Sequence, residues 1–331
     1  MTENEEQRWS AAPENSALDN LRTSMESVRD EIQKVVIGQD ETIDLLLVAV
    51  LAGGHVLLEG VPGIAKTLSA KLLARTFQTE FSRIQFTPDL MPADVTGTTV
   101  YNVKTGDFTF SKGPIFSNIV LIDEINRAPA KTQSSLFEVM EEQQVSVDGT
   151  SYPMSYPFMV LATQNPIEQE GTYKLPEAQL DRFLFKINLE YPSLQEEKGI
   201  LMRFRNDFAQ HQISDVNAII SPDDLRAAQK AVQNLYIKDE ILAYIATIVH
   251  DTRNHPDLYL GASPRASLAI LRTSKAAAAM KGREFVTPED VQYVAYSVLN
   301  HRIMLTPERE MEGIRTRDVI KEILGRIEVP R

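Results

Sequence analysis

Apolar positions along the chain change pattern twice, near residue 36 and after residue 192, and each change marks a different kind of structure. Leu18, Leu21, Met25, Val28, Ile32 and Val35 recur at steps of three and four, the spacing of one face of an amphipathic helix. The stripe is under three heptads long, so packing on the domain that follows is favoured over a coiled coil. From about 36 to 190 the pattern becomes short apolar runs: His55 to Glu59, Phe81 to Phe86, Ile119 to Asp123, Phe158 to Thr163 and Phe185 to Leu189. Helical stretches lie between several of them. That alternation predicts an α/β fold, a mainly parallel five-stranded sheet covered on both faces. Two segments break the rhythm. Residues 98–112 alternate around Thr105-Gly106, and 145–154 centre on Asp148-Gly149, so both read as β-hairpins.

After Tyr191-Pro192 the strand signals stop. Ser221-Pro222-Asp223-Asp224 and Thr287-Pro288-Glu289-Asp290 each place a capping hydroxyl, a Pro and acids at a helix start. Segments near 196–209, 222–234, 238–254, 264–281, 288–300 and 316–326 predict an all-helical second domain. The division is therefore an acidic disordered tail over 1–17, an α/β domain over 18–190 and a helical domain over 191–331.

Bulk properties narrow the function. The net charge of −12 tells against a partner held by bulk electrostatics, such as duplex nucleic acid or an anionic membrane. There is no cysteine, which excludes disulfides and thiolate metal sites. The first twenty residues have no apolar core of the signal-peptide kind, and the longest apolar run, Leu45 to Gly54, is too short to span a membrane. A cytoplasmic protein is expected.

The chemistry begins at EGVPGIAKT, Glu59 to Thr67. It follows an apolar strand and precedes a helical run, the setting in which backbone N–H groups and a helix N-terminus cradle phosphates. Gly60, Val61, Pro62, Gly63, Ile64 and Ala65 would form the loop. Lys66 would reach the β and γ phosphates of ATP, the Thr67 hydroxyl would ligate Mg²⁺, and Leu68 opens the helix. The usual second glycine is replaced by Ala65. At the border of a helix a right-handed backbone would make Ala free of strain. Its methyl could instead crowd the phosphates.

IVLIDE, Ile119 to Glu124, is an apolar strand ending in two acids. Asp123 is the metal-side carboxylate, acting through water, and Glu124 the general base for the attacking water. FMVLATQN ends another strand in Asn165. Its amide could orient that water, although on local evidence alone the reading as a turn-former before Pro166 is the stronger.

These strands in this order, with DEINRAPAKTQSSLFEVMEEQQV (123–145) and ATQNPIEQEGTYKLPEAQLDRFLF (162–185), resemble the MoxR family of AAA+ ATPases, in the helix-2-insert clade. The likeness runs over about 18–331 and implies a P-loop core followed by a helical lid. In that family the loop commonly carries Ala where this chain has Ala65. Val36, Ile37, Gly38 and Gln39 match the segment against adenine, Asn165 matches sensor 1, Arg182 the arginine finger that reaches a neighbouring subunit, and Arg265 sensor 2. Without the resemblance, Arg182 reads as a surface ion pair and Arg265 as a helix-start arginine. Arg127 is a weaker candidate for an intersubunit contact. The resemblance implies a homo-hexameric ring that hydrolyses ATP with Mg²⁺ to remodel or activate partner proteins, among them von Willebrand factor A-domain proteins, and in some systems to assist metal insertion. A nucleic-acid motor and a metal-chelatase-type motor subunit are the alternatives. The hairpins weigh against nucleic acid: the first has only Lys104 and Lys112 around Asp107, and the second has Asp148 and no Lys or Arg.

Overall fold

The computed structural model describes residues 14–330 apart from 62, 105, 167–171 and 206–212. The first helix, α1 (Glu14–Gln33), starts ahead of its own stripe, so the expected tail is shortened: 14–17 are helical, and 1–13 lie outside the described residues. A helix's first turn needs no apolar residue, so the stripe marks where burial begins and not where the helix begins. Leu18, Leu21, Met25, Val28 and Ile32 are buried in the main core of the molecule, which is the packing alternative to a coiled coil.

In chain order there follow α2 (Asp40–Ala52), β1 (Val56–Glu59), α3 (Lys66–Thr76), β2 (Phe81–Gln85), α4 (Pro92–Thr96), β3 (Gly97–Asn102), β4 (Asp107–Lys112), β5 (Ile119–Asp123), α5 (Ala130–Glu142), β6 (Gln144–Val147), β7 (Thr150–Pro153), β8 (Met159–Gln164), α6 (Glu177–Leu180) and β9 (Phe185–Asn188). Five of these strands form one sheet in the order β2-β5-β8-β1-β9, every pairing parallel. All five residues of β5 are buried, as are the first five of β8, the mark of central strands covered on both faces. Thr163 pairs with Leu58 and Gln164 with Glu59, while Ile122 pairs with Ala162. The carboxyl ends of β1, β5 and β8 therefore emerge side by side, at the edge where open α/β sheets hold ligands.

The two hairpins are β3–β4 and β6–β7, both antiparallel. They touch each other. Phe110 stacks on Tyr152 with centroids 4.3 Å apart, and Thr99 Oγ1 donates to Asp148 Oδ2 at 2.7 Å. The tip of the first is apolar and open: Val103 is 85% exposed and Phe108 72%.

The remainder is α7 (Leu194–Phe204), α8 (Pro222–Asn234), α9 (Asp239–Asn254), β10 (Leu258–Leu260), α10 (Pro264–Met280), α11 (Pro288–Leu299), β11 (Met304–Leu305), α12 (Pro307–Met311) and α13 (Thr316–Arg326). This lid is helical with one addition to the expected pattern, a short antiparallel ribbon of β10 and β11. Strands of three and two residues are too brief for alternation to show in a sequence. Ser221 caps α8, accepting from the Asp224 N–H at 3.2 Å. At the start of α11 the Thr287 N–H donates to Asp290 Oδ2 at 3.0 Å, the reciprocal half of a capping box. The lid folds back on the core: α10 packs on α2, Arg272 donates to the carbonyls of Ala52 and Gly53, and Asn300 donates to the Lys186 carbonyl at 2.9 Å. Among the described residues no helix is long and apolar enough to cross a membrane.

Candidate functional site

The turn from β1 into α3 is built by its glycines. A Cβ on Gly60 would lie 2.6 Å from Ile64 Cδ1 and 2.9 Å from Leu189 Cβ, so only glycine fits there. Gly63 has φ +88°, which favours glycine for conformation, with open space around it. Pro62 lies outside the described residues. Ala65 departs from the strain-free expectation: its φ of 59° and ψ of 18° are left-handed. It stands just before the helix, where the chain must turn sharply to aim N–H groups into the cavity. An L-residue there carries a cost of about 1–2 kcal/mol.

Behind the loop, Gln39 Nε2 donates to the Ile64 carbonyl at 2.9 Å and ties the Val36–Gln39 segment to it. Gly38 has φ +74°, and a Cβ there would strike the Glu196 carboxylate. A cavity of about 910 Å³ lies on this side, bordered by Gln39, Glu59, Lys186, Tyr191 and Tyr296.

On the other side a cavity of about 380 Å³ is lined by Gly63, Ala65, Lys66, Thr67, Leu68, Arg83, Gln85, Asp123, Glu124, Thr163 and Asn165. The structure thus brings Lys66, Thr67, Asp123, Glu124 and Asn165 together from β1–α3, β5 and β8. Lys66 Nζ donates to the Gly60 carbonyl at 2.5 Å. Burial pushes its ammonium below the ordinary range, and the carboxylates of Asp123, Glu124 and Glu59 pull it partly back. Asp123 is buried, with Arg83 Nε on Oδ2 at 2.5 Å and the Thr163 hydroxyl on Oδ1 at 3.1 Å. Thr163 Oγ1 also accepts the Glu124 N–H at 3.0 Å. Glu124 stands in a left-handed backbone conformation, φ 57°, and its Oε2 accepts from Gln85 Nε2 at 2.6 Å and faces Arg127 Nε at 3.2 Å. Strain at such a residue persists only where neighbours over-determine it.

The donor set suits a hard cation. Thr67 and Asp123 offer only oxygens, as Mg²⁺ requires, and both Asp123 oxygens are already engaged, which suits contact through water. Arg83, Gln85 and Thr163 were missed from the sequence. The signal for the first two was present: in Phe81-Ser82-Arg83-Ile84-Gln85, Arg83 and Gln85 alternate with buried Ile84 and so share one face of β2.

Arg182 and Arg265 are not at this cavity. Arg182 Nη1 donates to the Phe137 carbonyl at 2.6 Å, and its Nε lies 3.5 Å from Glu141 Oε2. Arg265 Nη2 donates to Glu141 Oε1 at 3.0 Å. Arg127, the weaker candidate for an intersubunit contact, faces Glu124 of its own chain, Nε to Oε2 at 3.2 Å.

Residues 55–185 match the family model described as ATPase family associated with various cellular activities (AAA), and residues 250–323 match the AAA lid domain. The chain is 48% identical over 301 residues to YeaC of Bacillus subtilis, covering 91% of this chain and 93% of that one. It is 44% identical over 310 residues to Chaperone MoxR1 of Mycobacterium tuberculosis, covering 91% and 81%. A crystal structure from Cytophaga hutchinsonii superposes with a TM-score of 0.88 at 45% identity, covering 96% of this chain and 98% of that one.

Proposed function

The chain belongs to the MoxR family of AAA+ ATPases and hydrolyses ATP, and from that premise we propose that it is a chaperone whose active sites form between adjacent copies of itself. The observation that carries this reading is a mismatch within one chain. Lys66, Thr67, Asp123, Glu124 and Asn165 line one cavity, whereas Arg182 and Arg265 sit together elsewhere, on Glu141. A phosphate site in one copy and an arginine pair in the next become complete by head-to-tail association, which closes into a ring when the rotation permits. A homo-hexamer is the proposed ring.

In this reading Val36, Ile37, Gly38 and Gln39 border the base, and the loop from Gly60 to Leu68, Val61, Pro62 and Ile64 included, wraps the phosphates. Lys66 offsets their charge. Thr67 and Asp123 would hold Mg²⁺, which when bound neutralises phosphate oxygens. Glu124 takes the proton of the attacking water, and Asn165 orients that water. Arg182 and Arg265 of the neighbour stabilise charge that develops on the γ-phosphoryl group, a contribution of about 10³–10⁵ in rate.

The output is remodelling or activation of a protein partner, with von Willebrand factor A-domain proteins and metal insertion into enzymes as the finer proposals. The joined hairpins support a protein partner over nucleic acid. Their exposed tip presents Val103, Tyr101 and Phe108, with Lys104 and Asp107 near it, and not the basic groove that a strand of nucleic acid requires. Glu124→Gln with ATP should bind without hydrolysing and retain the partner in a pull-down. Tight, salt-dependent binding of single-stranded DNA in a filter assay would favour the motor reading instead.

A further inference from the structure

Arg302 lies just past α11, and its side chain is 3% exposed. A guanidinium has five N–H donors, and this one spends all of them. Nε donates to Asp181 Oδ1 at 2.7 Å. One terminal nitrogen donates to the carbonyls of Leu184 at 3.2 Å and Val298 at 2.6 Å, the other to those of Asp181 at 3.1 Å and Phe183 at 2.6 Å. The neighbouring His301 adds Nε2 on the Phe183 carbonyl at 3.0 Å. Apart from Val298, these partners are the residues on either side of Arg182.

The same carboxylate reaches the second arginine. Asp181 Oδ2 accepts from Ser263 Oγ at 2.9 Å, and Ser263 caps α10, its Oγ accepting the backbone N–H of Arg265 at 3.2 Å. One buried cation on the lid therefore grips the backbone that carries Arg182 and, through Asp181 and Ser263, the helix start that carries Arg265.

With no donor left for a phosphate or a partner, Arg302 acts only through what it holds. We infer that Arg302 is a positioning residue for the Arg182–Arg265 pair, and that the Arg302–Asp181–Ser263 link makes the aim of both arginines depend on the seating of the lid. This rests on the reading that the pair serves a neighbouring copy. Lysine cannot replace the fork, because its compact ammonium cannot span two carbonyl pairs and a carboxylate.

The test uses the full chain as assembled. Arg302→Lys should lower kcat by about 10- to 100-fold, the scale of an ångström-level misplacement, with KM for ATP unchanged. Ser263→Gly, which keeps a serviceable helix cap, should lower kcat more mildly in the same way. Each is then mixed with excess Lys66→Ala chains, which lack ATP binding but keep intact arginines. Turnover should recover, because the defective copies now receive their arginines from a sound neighbour. Arg182→Ala with Lys66→Ala is the control. Failure of that control to recover overturns the shared-site reading itself. Recovery of the control without recovery of Arg302→Lys, or wild-type kcat in Arg302→Lys, overturns only the positioning role. Should Arg302→Lys not fold, unchanged kcat in Ser263→Gly has the same force.

Discussion

Arg182 and Arg265 meet on one carboxylate: Glu141 of α5 faces Arg182 Nε through Oε2 at 3.5 Å and accepts from Arg265 Nη2 through Oε1 at 3.0 Å. One arginine follows α6 in the α/β part and the other opens a lid helix, yet a single anion sets their spacing. Glu141 is 39% exposed, so solvent screens the contacts and they add little stability. Their consequence is geometric, since whatever approaches one arginine finds the other beside it.

Groups that act as a unit lose activity non-additively. Arg182→Ala should therefore lower kcat by about 10³-fold or more while ATP binding is retained, as for a residue that contacts only the transition state. Arg265→Ala should fall in the same direction, and the double variant should be little worse than the more damaging single. Steady-state phosphate release at saturating ATP, beside nucleotide binding by fluorescence, measures both. A double variant whose loss is the full product of the singles would mean two independent roles.

Ala65 gives a prediction that runs against intuition about a missing glycine. Its left-handed backbone means that Ala65→Gly removes strain of about 1–2 kcal/mol but adds unfolded-state freedom of about 0.4–1 kcal/mol. Ala65→Gly should thus be more stable by about 0.5–1 kcal/mol in urea unfolding. ATP binding should stay within a few-fold, whereas Lys66→Ala abolishes it. A glycine variant that binds far more tightly and turns over faster would make the Ala65 methyl a brake on the phosphates.

What could be read from the chain follows from how local each cause is. Asp123 was legible because an apolar run that ends in acids needs only its own neighbours to be recognised, and the parallel sheet followed from five such runs. The φ of Ala65 was not legible, because it belongs to the turn by which the loop enters α3 and runs against the alanine's own preference. Arg83 and Gln85 were within reach through β alternation but carried no motif. The Arg302–Asp181 contact joins residues 121 apart and depends on how the lid seats, which no local pattern encodes.

Glu124 Oε2 is held by Gln85 and Arg127, contacts that favour the charged carboxylate and so weaken it as a base. Glu124→Gln should abolish hydrolysis and leave ATP binding intact. Gln85→Leu removes the shorter of the two contacts, at 2.6 Å, and should raise basal turnover by about 10-fold, the low end of the worth of one hydrogen bond to a charged group. Phosphate release by the two variants in parallel decides it. A fall in basal rate for Gln85→Leu would make Gln85 a residue that aims Glu124 and not one that restrains it.

His55 makes stability depend on pH. The ring is buried between β1, α5 and β8, and burial pushes its imidazole down to about 4, with the Arg272 charge acting in the same direction while the Met140 contact and Glu141 oppose it. Its Nδ1 accepts the Val160 N–H at 2.9 Å, so the neutral ring carries its proton on Nε2, which donates to the Met140 carbonyl at 3.1 Å. Protonation at Nδ1 would break the first bond and bury a charge. His301 is shifted the same way, by burial first and then by Arg302. An unfolded chain binds protons at both rings below pH of about 6.5, while the native His55 does not until near 4. The unfolded state therefore binds more protons across that window, and stability falls as pH drops through it, by up to about 1.4 kcal/mol per pH unit for each histidine. Above pH of about 7 neither ring contributes a slope. Urea unfolding from pH 7.5 down to 4.5 should show the decline begin near 6.5, and His55→Gln should remove about half of it. A flat profile in the wild type, or an unchanged slope in His55→Gln, would mean that the native ring titrates as it does in water.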